Sequence, residues 1–289
     1  SMMSEKKIAV VTDSCTDVPK EILDQYGVYV LPVTVQYHDR GYLDRVEISE
    51  QEVYDRLAEE IPTTSLPSPD LILKTFDQIV ADGYDTAIVV TMSSALSGTY
   101  NAIRLLGEEY EGLEVHMIDT RNIGIGAGFT TIAAAELVAA KKSLVEILVG
   151  LRDSVVNSKI FFSLKTLEYL RKGGRIGKVK GIIGSVLNVK PIISCNEDGE
   201  YYNVKITRGE KQYLKEILRM AKEYAAQFPK YNVAVCDGAA PADAESLLSV
   251  IRENFPNAQN IYHTHVSPAL VVHTGPGLIG IGIQKLVTE

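Results

Sequence analysis

Thr86–Tyr100 reads TAIVVTMSSALSGTY, a β-branched apolar run followed by a serine-rich loop and a helix start at Ser97-Gly98. Thr86–Met92 is short and apolar on both faces, as in a strand covered on both sides within a parallel sheet. The neighbouring segments repeat this strand-then-helix rhythm. Upstream, Ile8–Thr12 (IAVVT) reads as a buried strand, and Asp17 is expected to cap a helix with Pro19 in its first turn and Gly27 as its stop. A second apolar run, VYVLPVTV, follows at once. Ser49–Glu52 (SEQE) forms a capping box for a helix reaching about Glu60, and Ser68-Pro69 opens another that ends near Gly83. Downstream, Glu114–Asp119 reads as a strand, and an Ala-rich helix follows. The alternation predicts an α/β fold with an N-terminal, mostly parallel sheet flanked by helices.

After Ser158 the rhythm changes. KIFFSL reads as a strand leading into KTLEYLRKGGRIGKVKG, and KPIISCNEDGEYYNVKI reads as a hairpin turning at Glu197-Asp198-Gly199. A long helix (about Glu210 to Gln227), the strand NVAVCD, a helix from Pro241 and a final apolar stretch from Ile261 complete the chain. This half is expected to be a C-terminal α+β domain with a mixed or antiparallel sheet. The expected domains are residues 1–160 and 161–289.

The chain has 289 residues, 46% hydrophobic and 23% charged, enough for two packed cores. A net charge of -8 argues against nucleic acid as a partner, because phosphate binding needs a strongly basic face. The three cysteines, Cys15, Cys195 and Cys236, form neither a CxxC motif nor an even framework, which fits a reducing, cytoplasmic setting. The apolar run ending at Asp13 is too short for a secretory signal, and no uninterrupted membrane span follows.

Most candidate motifs fail on context. GPGLIG (Gly275–Gly280) matches GxGxxG, but the nine residues after it cannot supply the helix and second strand of a dinucleotide unit. GIGAG (Gly124–Gly128) has Phe129 in place of the third glycine, so close packing of a helix start on the sheet is the expected role. GGRIGKVKG lacks the ending of a phosphate loop, since Val179 follows Lys178. His263 and His265 stand at strand spacing and share a face, but no Cys, Asp or Glu at ligand spacing joins them nearby, so no metal is expected. Around Ser97, Ala95 occupies the first glycine position of a GxSxG elbow. Cys15 reads as a small buried residue at a strand end.

Three features remain. Ile61–Pro69 (IPTTSLPSP) places Thr63, Thr64 and Ser65 in a row, in a segment whose prolines are expected to keep it irregular. Ser68 already caps the next helix, so the earlier hydroxyls are spare. Ser93–Thr99 (SSALSGT) lies at the carboxyl end of a predicted parallel strand, where open α/β sheets bind ligands and a helix start offers free N–H groups. VVHTGPG sets His273 beside residues that permit close backbone approach. Hydroxyls, helix-start amides and one histidine suit a small anion such as a carboxylate.

At these residues the chain resembles the DegV family of fatty-acid-binding proteins, the binding subunits of bacterial fatty acid kinase. The likeness runs almost end to end through VTDSCTD, TTSLPSP, SSALSGTYNA, LEYLRKGGRIG, KITRG and HTGPGLIGIG. It implies one long-chain fatty acid held in an apolar tunnel, with its carboxylate at the domain interface, and no further cofactor. The carboxylate would meet Thr64, His273 and a serine of the SSALSG loop, with Ser97 preferred and Ser94 as the alternative; Ser65 and Gly98 join this shell. Arg208 of KITRG would support the head-group network, and Arg175 of GGRIG would face the kinase. Cys15 stands where the family usually has Ser or Thr, and Leu66 where a polar residue is common. Arg171, Lys172, Arg175, Lys178 and Lys180 cluster in an otherwise acidic chain, as a docking surface would. The expected partners are the fatty acid and the fatty acid kinase catalytic subunit, with transient membrane contact as a further possibility. The protein would then be a non-catalytic carrier. The competing readings are a serine hydrolase using Ser94 or Ser97 with His273, and a lipid-sensing regulator.

Overall fold

The computed structural model describes residues 5–179 and 189–286. The first half runs β1 (Ile8–Asp13), α1 (Lys20–Tyr26), β2 (Tyr29–Leu31), β3 (Thr34–Gln36), β4 (Gly41–Leu43), α2 (Glu50–Arg56), β5 (Thr63–Ser65), α3 (Pro69–Ala81), β6 (Thr86–Thr91), α4 (Thr99–Glu109), β7 (Glu114–Asp119), α5 (Ile125–Ala139) and α6 (Leu144–Val156). It continues through β8 (Ser158–Ser163), α7 (Glu168–Lys172), a 3-10 turn (Gly177–Val179), β9 (Val189–Cys195), β10 (Tyr201–Arg208), α8 (Gly209–Ala225), β11 (Tyr231–Gly238), α9 (Pro241–Asn254), β12 (Ala258–His265), α10 (Pro268–Thr274) and β13 (Leu278–Lys285).

The predicted parallel sheet is present, with four strands in the order β2-β1-β6-β7. Its central strands β1 and β6 are largely apolar because both faces are covered. Val11 and Val89 face Ile72, Phe76 and Ile103 of α3 and α4. Their neighbours Val10, Ile88 and Val90 turn to Ala134, Ile147 and Leu151 of α5 and α6. Period-two alternation thus feeds two hydrophobic layers from one run.

From β8 onward the strands join a second sheet, order β10-β9-β8-β13-β11-β12. It is mixed, since β11 and β12 run parallel while β13 opposes both β11 and β8. One face packs on Tyr213 and Ile217 of α8 and Leu247 and Ile251 of α9. On the other face Ile160, Phe162, Ala234 and Cys236 meet Ile125 and Phe129 of α5. α5 therefore lies between the two sheets, which explains an Ala-rich helix with no polar side over its first three turns. Gly128 fits the close-packing role expected of GIGAG: a Cβ there would lie 2.2 Å from the Thr16 carbonyl oxygen. Among the described residues no helix is long and apolar enough to cross a membrane.

Several local expectations change. Asp17 does not cap α1; Pro19 takes that position, and the Asp17 side chain turns inward because Arg45 and the Ser267 amide satisfy it there. The capping box at Ser49 forms, but α2 ends at Arg56 instead of near Glu60. IPTTSLPSP is not wholly irregular: β5 pairs antiparallel with β3, setting Thr64 opposite Val35. The segment's three prolines, Pro62, Pro67 and Pro69, all lie outside the three paired residues, where they remove no ladder donor. The final apolar stretch is three elements, β12, α10 and β13, broken at Pro268 and Gly275-Pro276-Gly277. Lys180, one of the expected basic cluster, lies outside the described residues.

Candidate functional site

α10 is short, and its orientation depends on what holds its start. Ser267 caps it by accepting from the Leu270 N–H at 3.3 Å. Two buried carboxylates accept the adjacent amides, Asp17 from Ser267 at 3.2 Å and Asp44 from Ala269 at 3.1 Å. Such negative charge at a helix start is favourable. Burial nevertheless raises the Asp17 carboxyl to about 7, against the opposing pull of Arg45, and raises Asp44 to about 6. Cys15 lies among them, its sulfur 4.0 Å from Asp44 Oδ2 and from Ser267 Oγ. Burial and these carboxylates push the thiol well up, so it is the inert buried residue expected from sequence.

The far end of α10 delivers His273 to β5. Thr64 Oγ1 and His273 Nε2 lie 2.8 Å apart. Beside them is a cavity of about 80 Å³, with Ser65, Ser97, Gly98 and Arg175 completing its polar wall and Met92, Leu96 and Leu270 contributing apolar wall. A second cavity of about 30 Å³, almost wholly apolar, lies along Phe162, Cys236 and Val266. Ile123, Tyr201 and Leu270 line both. The polar groups gather at the first cavity, while the second is almost wholly apolar.

His273 is buried, and desolvation, aided by the nearby Arg175 guanidinium, lowers its pKa to about 4. At neutral pH the imidazole is uncharged. Its Nδ1 has no hydrogen-bond partner among the described residues and faces the backbone of Gly173, where a Cβ would lie only 2.1 Å away. In the tautomer with its proton on Nε2, His273 donates to Thr64 and leaves the Thr64 proton free for an anion.

The serine-rich loop divides its side chains among separate tasks. Ser93, buried, donates to the Gly199 carbonyl at 2.8 Å and ties the loop to the β9–β10 turn. Ser94 donates to Asp119 Oδ2 at 2.5 Å and borders an outer cleft of about 410 Å³. Ser97 lines the inner cavity, accepts from the Thr99 N–H at 3.1 Å and meets Thr99 Oγ1 at 2.8 Å. Gly98 then caps α4. His273 pairs with Thr64, and neither serine is bonded to it, so the nucleophile–base contact of a hydrolase is not formed.

Arg175 is half-buried in the cavity wall, where Nε donates to Leu96 O at 3.0 Å and Nη1 to Gly173 O at 2.8 Å. It links the serine-rich loop to the turn beside His273. Arg208 is exposed at the end of β10, seven residues and roughly 23 Å along the strand from the cavity-lining Tyr201. Arg171, Lys172 and Lys178 are exposed, and Lys172 pairs with Glu168. Tyr201, Ile123 and Leu270 gave no sequence signal beyond being apolar. The Asp17–Arg45–Asp44 support also went unread, because Asp17 lies on a different loop from Asp44 and Arg45.

Sequence spacing found no acidic residue near His263 and His265, but the fold supplies one. Asp237 of β11 stands in register with His265 on the adjacent parallel strand and contacts both imidazoles.

A model of the DegV family, described as an uncharacterised protein family, matches residues 7–286. A DegV domain-containing protein of Clostridium perfringens is 41% identical, covering 97% of this chain and 99% of its own. A DegV family protein from Thermus thermophilus, described for its fatty acid binding, superposes with a TM-score of 0.91 at 28% identity, covering 97% of this chain and all of that one. A stearic-acid-binding protein from Eubacterium ventriosum superposes with a TM-score of 0.86 at 25% identity, over 96% of this chain and 98% of that one. With a family match that spans nearly the whole sequence and relatives of equal length, the chain belongs to the DegV family.

Proposed function

We propose that the protein binds one long-chain fatty acid, with its carboxylate at the Thr64–His273 pair and its tail running inward past Tyr201 and Leu270. The observation that carries this reading is a hydroxyl and a neutral imidazole at 2.8 Å, lining a cavity that shares Ile123, Tyr201 and Leu270 with an almost wholly apolar one. Relatives of the same fold described as fatty-acid-binding support it. Thr64 accepts from His273 and donates to the carboxylate, and Ser65, Ser97 and the Gly98 helix start add polar contacts. Arg175 supplies the positive charge that a desolvated carboxylate needs. Because Ile123, Tyr201 and Leu270 line both cavities, their side chains move aside as the tail enters.

Burying about fifteen methylenes at ~0.8 kcal/mol each stabilises the complex by roughly 12 kcal/mol before the costs of association. Residues 1–160 act as the domain that brings Thr64, Ser65, Ser97 and Gly98 to the carboxylate, and residues 161–289 bring His273 and Arg175 and contribute to the tunnel. The bound acid is then offered to a separate ATP-dependent fatty acid kinase, and the acyl phosphate is held afterwards. The exposed Arg171 and Lys178, beside Arg175, form the basic face for that partner. In this reading the chain is a non-catalytic carrier working in the cytoplasm.

Titrating delipidated protein with oleate and with methyl oleate tests the head-group assignment. The acid is expected to bind at least about 10-fold more tightly, since the ester keeps the tail but removes the charge. Equal affinity would show that the polar wall does not read the carboxylate.

A further inference from the structure

We propose that Asp237, His263 and His265 form a binding site for a divalent transition-metal ion, of which Zn²⁺ is the best match. The three offer ligand atoms that all lie within 4.8 Å of one another. Asp237 Oδ1 is 2.7 Å from His263 Nε2 and 3.2 Å from His265 Nδ1, so both imidazoles converge on one oxygen. Their ring centroids are 4.6 Å apart.

The fold brings these atoms together by strand geometry. His263 and His265 are alternate residues of β12, so their side chains leave the same face of the sheet. Asp237 lies at the end of β11, paired in register with His265. Sequence spacing hides this arrangement because the carboxylate comes from a different strand. All three residues lie in paired strands, and the site sits at the carboxyl ends of two parallel strands, where α/β sheets gather ligands.

The donor set selects the metal. Two imidazoles and a carboxylate suit borderline ions such as Zn²⁺ and Co²⁺ better than Ca²⁺ or Mg²⁺, which take mainly oxygen ligands. Zinc binds nitrogen and carboxylate oxygen at about 2.0–2.2 Å, and an ion among these three atoms needs only small side-chain shifts to reach those lengths. For a metal to bind His263 Nε2 and His265 Nδ1, each neutral imidazole would carry its proton on its other ring nitrogen.

The surroundings fit a ligand role. Asp237 is only 4% exposed, while His263 and His265 are 36% and 60% exposed, so the site has a fixed buried anchor and an open outer side. Asp237 Oδ2 accepts the Ala240 N–H at 3.1 Å, which orients the carboxylate as an outer-shell partner does. Arg45 is the nearby cation, but its guanidinium is held by Asp17 at 2.9 Å and by the His265 carbonyl at 2.6 Å. Water completes the coordination on the open side. Since β12 leads directly through Ser267 into α10, an ion here braces the segment that carries His273.

Adding Co²⁺ to the untagged full-length protein while following visible d–d absorption tests the site. One Co²⁺ per chain is expected, displaced by Zn²⁺, with affinity reduced more than about 10-fold in the His263→Ala/His265→Ala variant. Zn²⁺ should raise the thermal midpoint of the parent protein and not of the variant. Both side chains are partly or largely exposed, so the variant keeps its core. An absence of saturable Co²⁺ binding, or the same signal in the variant, would overturn the assignment.

Discussion

Thr64 and His273, 209 positions apart in the chain, meet at 2.8 Å where β5 touches the end of α10. Neither element would hold its place alone. β5 has three residues and depends on β3, whereas α10 is held at its start by Ser267, Asp17 and Asp44. The contact joins the two ends of the sequence into one polar group.

Thr64→Val keeps the side-chain shape and removes the hydroxyl. Hydrogen bonds to charged groups contribute about 1.5–3 kcal/mol, so fatty-acid affinity is expected to fall roughly 10- to 100-fold in a displacement titration. His273→Ala should weaken binding by a comparable factor, with far-UV circular dichroism unchanged in both. Parent-like affinity in both variants would remove them from the carboxylate site.

Gly173→Ala reaches the same site from behind. Its Cβ would lie 2.1 Å from His273 Nδ1 and 2.8 Å from Cε1, so the imidazole must swing away from Thr64. The expected cost is about 1–3 kcal/mol of stability, together with lost affinity. Full fatty-acid binding by this variant would mean that the position of His273 does not matter.

His273 also makes the free protein acid-sensitive. Its pKa falls from 6.5 to about 4 on burial, so between those values the unfolded chain takes up a proton that the folded chain refuses. The associated stability is present above pH 6.5 and lost as pH falls toward 4, about 3 kcal/mol in all. His273→Gln lacks this term. Urea unfolding of the two proteins at about pH 7 and about pH 4.5 should show their stability difference moving in favour of the variant by that order at the lower pH. Contributions from Asp13, Asp17 and Asp44 cancel in the comparison. A pH-independent difference would contradict a buried neutral imidazole.

Arg45 offsets the charge of Asp17, at 2.9 Å, in a position where that carboxylate is 3% exposed. Arg45→Met leaves the carboxylate without its cation, at a cost of about 3 kcal/mol. The pH dependence has the opposite sign to that of His273. Asp17 rises from 3.8 to about 7 on folding, so the folded state holds a proton that the unfolded state has released, and stability falls as pH rises through that window. Without Arg45 the folded value rises further. The variant should therefore lose more thermal stability at about pH 8 than at about pH 5.5, and equal losses would show that Asp17 is not the affected group.

The sequence carried different parts of this molecule with different clarity. Strands such as Thr86–Thr91 were legible because both faces are buried, leaving a continuous apolar run. Ser49 and Ser68 marked helix starts because capping is local chemistry. Asp17 misled because a residue suited to capping can equally serve as a buried acceptor when an arginine from another loop reaches it. The hydroxyl row and His273 stood out as polar groups without a local task. Their pairing was suggested by family likeness, since spacing cannot show a contact between opposite ends of a chain. Asp237 was invisible as a partner of His263 and His265 because strand order, set by the whole sheet, decides which residues become neighbours.

Native mass spectrometry of the protein as purified, followed by organic extraction and identification of the released molecule, tests the central claim most directly. One fatty acid per chain is expected, lost or sharply reduced in the Thr64→Val/His273→Ala double variant. A protein that carries no lipid and takes up none when fatty acids are supplied would contradict the account.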